Sequence, residues 1–395
     1  MDPSDIAVIV VVILLRLIVP LFIPFFPLPA VILSLVIDAV DQTVFQTFTR
    51  APLDGYQSYD KALDIYYLTI AFLSTFRNWE NLTAFEVSRF LFYYRLVGVV
   101  LFESMQLRAL LLFFPNTFEY FFIFMEAVRT RWNPKRLATA GVVLAMWAIW
   151  VFIKIPQEYW IHIAKLDTTD AIKTQIFGVS PDTSWGAAIS SNPLALLGMV
   201  FALWLLGWAV RTVSVGTIPP ADRSGVSLRV RLADLDVTEA EANTAREARS
   251  GDLIQQGFWE RVALVTLTGM IFTHILPGVG ASTLQLFFGT LILVFVTTVA
   301  SEWLQRLGMG LRSTLTQFIV LLAVTGATVW AMTWALPGDW FTIPADARLG
   351  VFFLVLLMTL IVTLYDRFRP FYLARLDRQQ ALRDGIAAGL AKGGS

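Results

Sequence analysis

Four aspartates, Asp38, Asp41, Asp60 and Asp64, stand where the surrounding sequence is hydrocarbon. Asp38 and Asp41 follow an apolar run from Val31 to Ile37, and Asp60 and Asp64 open the run that continues from Ile65 to Phe76. On a helix, residues three or four apart share one face, so each pair presents two carboxylates together. The turn between them, from Thr49 to Gly55, is short and makes the two helices antiparallel neighbours on which all four acids can converge. Carboxylates gathered in a low dielectric need metal ions, protons or arginines beside them. Arg16, Arg50 and Arg95 are the arginines placed to serve.

The run Asp38-Ala-Val-Asp41, Gly55, Asp60-Lys-Ala-Leu-Asp64 resembles the signature of the CDP-alcohol phosphatidyltransferases, Asp-x2-Asp-Gly-x2-Ala-Arg-x8-Gly-x3-Asp-x3-Asp. Members of that family transfer a phosphatidyl-type group from a CDP-linked donor to an alcohol with divalent metal. The resemblance implies that Asp38, Asp41 and Asp60 are metal ligands for Mg2+ or Mn2+ and that Asp64 is the base that deprotonates the acceptor hydroxyl. It implies a transferase of phospholipid metabolism acting on membrane lipids. The chain departs from the pattern at Gln42, Phe45 and Gln46, where the family has the Gly and Ala-Arg that cradle cytidine diphosphate, and Asp60 comes one residue late after Gly55. The resemblance covers about 36 of 395 residues.

The elements that position these acids are membrane helices. Hydrophobic residues make up 56% of the chain, charged residues only 15%, and mean hydropathy is +0.65, which points to a multi-pass membrane protein. Spans of about 20 apolar residues partition the sequence into an all-α polytopic bundle of about ten or eleven transmembrane helices. An N-terminal membrane half with the aspartates (1–210), a hydrophilic cytoplasmic connector (211–257) with helix around 237–250, and a C-terminal four-span half with a basic tail (258–395) follow from the hydropathy pattern. The first apolar stretch lacks a basic leader and a cleavage site and reads as a retained span, bent or re-entrant because of Pro20, Pro24, Pro27 and Pro29. Another span is expected over 138–155, then a surface-lying excursion over 156–193. Basic residues in 129–136, in the connector and in the tail put the C-terminus on the cytoplasmic side of a plasma or inner membrane. The orientation of residues 1–104 depends on whether 84–104 crosses fully.

Composition also excludes chemistry. With no cysteine there is no disulfide, thiol catalysis or Cys-ligated cluster, and with two histidines there is no His-rich metal site. Zero net charge leaves no nucleic-acid footprint. Arg95, Glu103 and Glu119 form either a second polar cluster or internal ion pairs, and Pro115-Asn116 can break its helix and free carbonyls. The loop Arg129–Arg136 serves topology or grips anionic headgroups. His162 reads as an interfacial anchor and His274 as a span-end residue, while Asn81-Leu82-Thr83 matches a glycosylation sequon of low specificity. Small residues such as Gly269 and Gly326 suit close helix packing, within the chain, in a homo-oligomer or in a larger membrane complex. Three functions remain open: a metal-dependent transferase-like site, a structural or partner-binding ion network, and a cation- or proton-coupled transport path.

Overall fold

The computed structural model describes residues 2–49, 56–164, 166, 168–217, 220–249, 256–275, 283–306, 314–335 and 348–393, and the regular structure among them is all helical. Gly55, Arg50 and the side chains of Gln42, Gln46 and His274 lie outside the described residues. Helices α1 (Pro3–Ile18) and α2 (Pro27–Phe48) form a hairpin around a 3-10 turn at Val19–Phe22. The prolines that would break a helix interior sit at this bend and at the first turn of α2, where the missing N–H has no intrahelical partner to lose.

Next come α3 (Tyr56–Asn78), α4 (Leu82–Met105), α5 (Ala109–Phe113) and α6 (Thr117–Arg131). Asn81 starts α4 by accepting a hydrogen bond from Ala84 N–H at 3.0 Å, and its amide donates to the carbonyls of Pro134 and Leu137, so it is a buried cap. Helix α7 (Thr139–Ile149) continues through a π-turn at Trp150–Lys154, α8 (Ile155–Glu158) and a second π-turn to Ile163. The chain therefore stays helical past Pro156, where the sequence suggests a span end. Pro156 lies at the start of α8, and the flanking π-turns absorb its missing donor.

After α9 (Thr168–Ala171) and α10 (Trp185–Ser191) comes α11 (Pro193–Thr217), which exposes apolar residues along its length. Helix α12 (Glu239–Glu247) begins with a capping box between Thr238 and Glu241, in the place where the connector is expected to be helical. Helices α13 (Gln256–Ile275), α14 (Thr283–Arg306), α15 (Thr314–Ala335) and α16 (Arg348–Gly393) complete the chain.

Helix α3 is the axis. Every residue from Ile65 to Trp79 is buried, polar ones such as Thr69, Ser74 and Thr75 included, because protein surrounds the helix on all sides. The three hydroxyls bond to carbonyls one turn back and so need no outside partner. Helix α16 packs along α3, so residues from both ends of the sequence share one hydrophobic core. Rings fasten the joint: Phe72 stacks on Phe92 at 4.3 Å, Phe85 on Tyr372 at 4.3 Å, and Phe76 meets Phe85 edge-on at 4.8 Å.

Five helical stretches among the described residues are long and apolar enough to cross a membrane, Ser4–Phe22, Ala109–Arg131, Thr139–Ile163, Leu315–Met332 and Gly350–Ile386. The bent pair α10–α11 makes six if it counts as one span. Helices α3 and α4 have 23 and 24 residues; α3 carries Asp60, Lys61, Asp64 and Arg77 toward its two ends, α4 carries Glu86, Arg89, Arg95 and Glu103 along its length, and protein covers much of both. By length and composition this is a multi-pass helical membrane protein.

Candidate functional site: four aspartates on one guanidinium

The bend between α1 and α2 folds Arg16, in the last turn of α1, back against the middle of α2. Asp38 and Asp41 occupy one face of α2, and the first turns of α3 bring Asp60 and Asp64 to the same point. Tyr66 fixes the approach of α3 by donating to the Leu17 carbonyl at 2.8 Å. All four expected site residues meet, and their common partner is Arg16. Its Nη1 donates to Asp41 and Asp60 at 2.5 Å each, and its Nη2 donates to Asp38 and, at 2.9 Å, to Asp64.

The donor count is complete but the charge count is not. Two terminal guanidinium nitrogens carry four N–H bonds, one for each aspartate. Among the described residues, one guanidinium is bonded to four carboxylates, an excess of negative charge. Asp38, Asp60 and Asp64 each offer an oxygen within 4.8 Å of the others. A like-charge pair at such a separation costs about 3 kcal/mol at an effective dielectric of about 20. The shared arginine attracts each of the three at shorter range and offsets this repulsion, but it adds only one positive charge. The excess of carboxylates is what a cation or protons would neutralise.

Exposure divides the four. Arg16 and Asp41 side chains are 5% and 1% exposed, whereas Asp38, Asp60 and Asp64 are 29%, 34% and 39% exposed. Asp41 is thus the closed end that anchors the guanidinium, and the other three form the accessible face. The trio able to surround an ion is Asp38, Asp60 and Asp64. The family pattern divides the roles differently, with Asp41 among the ligands and Asp64 apart as base. The donor set is all carboxylate oxygen, which suits a hard divalent ion. Phe45, which stands at the family's alanine position, is buried.

A second polar cluster lies beside the first. Between α5 and α6 the chain breaks at Pro115-Asn116, and the freed carbonyls of Phe113 and Phe114 accept from Tyr94 at 2.8 Å and Arg95 at 2.9 Å. Glu119 is held by Asn116 and by the Tyr67 hydroxyl, one turn along α3 from Asp64. Arg95 lies in the field of Glu158, Asp64 and Glu119, and no carboxylate is within ion-pair distance of it among the described residues. Glu158 pairs with Lys154 at 3.4 Å and His162 at 3.0 Å. Glu103 instead pairs with Lys61 at 3.2 Å. Lys154, Glu158 and His162 recur every four residues, the signal that would have marked them as one helix face.

No protein-family model, curated protein or solved structure matches this chain.

Proposed function

We propose that the aspartate cluster is a divalent-cation site that serves transfer of a phosphate-linked headgroup, in the manner of a divergent CDP-alcohol phosphatidyltransferase. One observation carries the reading: three partly exposed carboxylates converge within 4.8 Å and keep a charge deficit that Arg16 alone does not meet. Asp38, Asp60 and Asp64 would hold the ion. Bound there, Mg2+ or Mn2+ supplies charge neutralisation to a diphosphate and its leaving group. The chain's own contributions are distinct. Asp41 and Arg16 form the floor of the site, and the second carboxylate oxygen of Asp64, the one not on the ion, can take the proton of an acceptor hydroxyl. The donor's nucleotide is the open part of this reading, since Gln42, Phe45 and Gln46 replace the residues that hold cytidine diphosphate in the family pattern.

The pairing of Arg16 with every aspartate supports a second reading, a structural ion network that ties α1, α2 and α3 together. Transfer activity separates the two. Purified protein in lipid nanodiscs is given CDP-diacylglycerol, Mn2+ and a panel of alcohol acceptors, and CMP release is followed. The transferase reading expects release that needs Mn2+ and is abolished in Asp64→Asn. Release that neither chelation nor Asp64→Asn alters would contradict it, and protein without release that is destabilised alike by Asp38→Asn, Asp60→Asn and Asp64→Asn would favour the network.

A further inference from the structure

The opposite end of α3 carries a site of the opposite charge. From Asp64 to Asn78 is 14 residues, or about 21 Å along the helix axis. There the described part of the connector folds back over the bundle. Val230 N–H donates to the Phe25 carbonyl at 2.8 Å, and Ser227 and Arg223 N–H donate to the carbonyls of Thr130 and Arg131 at 2.9 and 3.1 Å. Asp222 takes the Asn133 N–H at 2.8 Å and pairs with Arg136. A cavity of about 350 Å3 lies beneath this strap, walled by Trp79, Asn81, Arg129, Asn133, Arg223 and Arg229 among others.

The acids around that cavity already have partners. Glu80 binds Lys135 at 3.0 Å, Asp234 accepts the Arg231 N–H at 2.9 Å, and Glu126 holds both Arg129 and the Trp79 indole. Arg223 and Arg229 have no carboxylate within ion-pair distance among the described residues. Arg223 donates only weakly to the Arg129 carbonyl at 3.4 Å, and Arg229 lies over the Phe26 ring at 5.5 Å. Two guanidiniums without a carboxylate partner among the described residues, on the rim of a cavity where Glu80 is paired and Asp234 is hydrogen-bonded to backbone, make a receptor for an oxyanion.

We infer that this cavity binds a phosphate group, held by Arg223 and Arg229 with Asn133 nearby. Apolar neighbours Trp79, Met125, Val230 and Leu235 line the same space. The phosphate can arrive on an anionic lipid headgroup or as a free phosphate, and both present the same oxygens. The inference does not depend on the aspartate site having metal or activity.

The test uses the full chain purified in uncharged detergent and titrated calorimetrically with inorganic phosphate and, separately, with dihexanoyl phosphatidylglycerol and dihexanoyl phosphatidylcholine. Arg223→Gln/Arg229→Gln is compared with Arg136→Gln, which removes a neighbouring arginine that already has an acid partner. Binding of inorganic phosphate that weakens tenfold or more in the double variant and survives in Arg136→Gln establishes a free-phosphate site. Binding of phosphatidylglycerol alone, with the same pattern of loss, establishes a lipid-headgroup site. The inference is overturned if neither phosphate nor phosphatidylglycerol binds, if the double variant binds as wild type does, or if Arg136→Gln weakens binding equally. The last outcome would mean diffuse surface charge. Unfolding curves of the three proteins check that the strap is still folded.

Discussion

Two buried arginine–aspartate contacts in this protein look alike in chemistry and differ in balance. In the C-terminal half, Arg261 of α13 pairs with the single carboxylate of Asp366 of α16, with side chains 7% and 1% exposed. Ser301 also donates to Asp366, and Gln317 reaches it at 3.4 Å. That contact is closed and locks two helices together. In the N-terminal half, Arg16 faces four carboxylates, three of them accessible. Balance and closure describe a fastening, whereas a surplus of one sign with an open side describes a place where something charged arrives.

The contrast can be broken by removing one partner from each. Asp366→Asn leaves Arg261 buried without its charge partner, and should cost about 3–5 kcal/mol, seen as a large fall in thermal stability or loss of folded protein. Asp38→Asn at the other contact relieves repulsion and should leave metal-free stability unchanged or raised. Equal destabilisation by both would erase the distinction.

Arg16→Gln sharpens it next. The variant removes the guanidinium that all four carboxylates share, so it should unfold at lower temperature than wild type in chelator and regain stability as Mn2+ is added, by a wider margin than wild type does. Stability indifferent to Mn2+ would point to carboxylates neutralised by protons. Within the cluster, Asp64→Asn should weaken Mn2+ binding by at least about tenfold, or about 1.4 kcal/mol, and Asp41→Asn by less, because Asp41 is turned to the closed side. The reverse order in a titration would restore the role division of the family pattern.

The smallest effect lies outside the membrane helices. The Thr238 N–H and then Arg378 hold Glu241 down at about 2, below its usual carboxylate value. A folded-state value below the unfolded one stabilises at neutral pH, and that contribution is lost as pH falls from about 4 toward 2. Protection factors of α12 amides, which remove the intrinsic pH dependence of exchange, should therefore fall over that window in wild type and fall less in Glu241→Gln.

Much of this was legible in residues. The four aspartates announced themselves by type and spacing, and Arg16 stood among three arginines able to answer them. What could not be read was that one guanidinium would take all four, since that depends on how the proline-bent hairpin folds back. Of the second cluster, Arg95 and Glu119 were legible, whereas Lys154, Glu158 and His162 were hidden for a related reason. Pro156 reads as a helix end, so Glu158 and His162 seemed to belong to the surface, yet π-turns carry the helix through and bring both to Lys154. Helix α3 was partly legible: its apolar run pointed to a helix, but α3 is not among the stretches apolar enough to cross a membrane, and Thr69, Ser74, Thr75 and Arg77 gave no hint of burial on every side. Helices α1, α2, α4 and α13 cover part of it, and α16, more than 280 residues later in the chain, covers the rest, a contact no local pattern encodes.

The central claim is that the cluster at Arg16 accepts a divalent cation. Electron paramagnetic resonance of Mn2+ titrated into the purified wild-type protein and Asp60→Asn tests it most directly. The account expects bound Mn2+ in wild type, displaced by Mg2+, with affinity largely lost in Asp60→Asn. No bound Mn2+ in wild type, or equal binding in the two proteins, would contradict it and leave the ion network around Arg16 as the better reading.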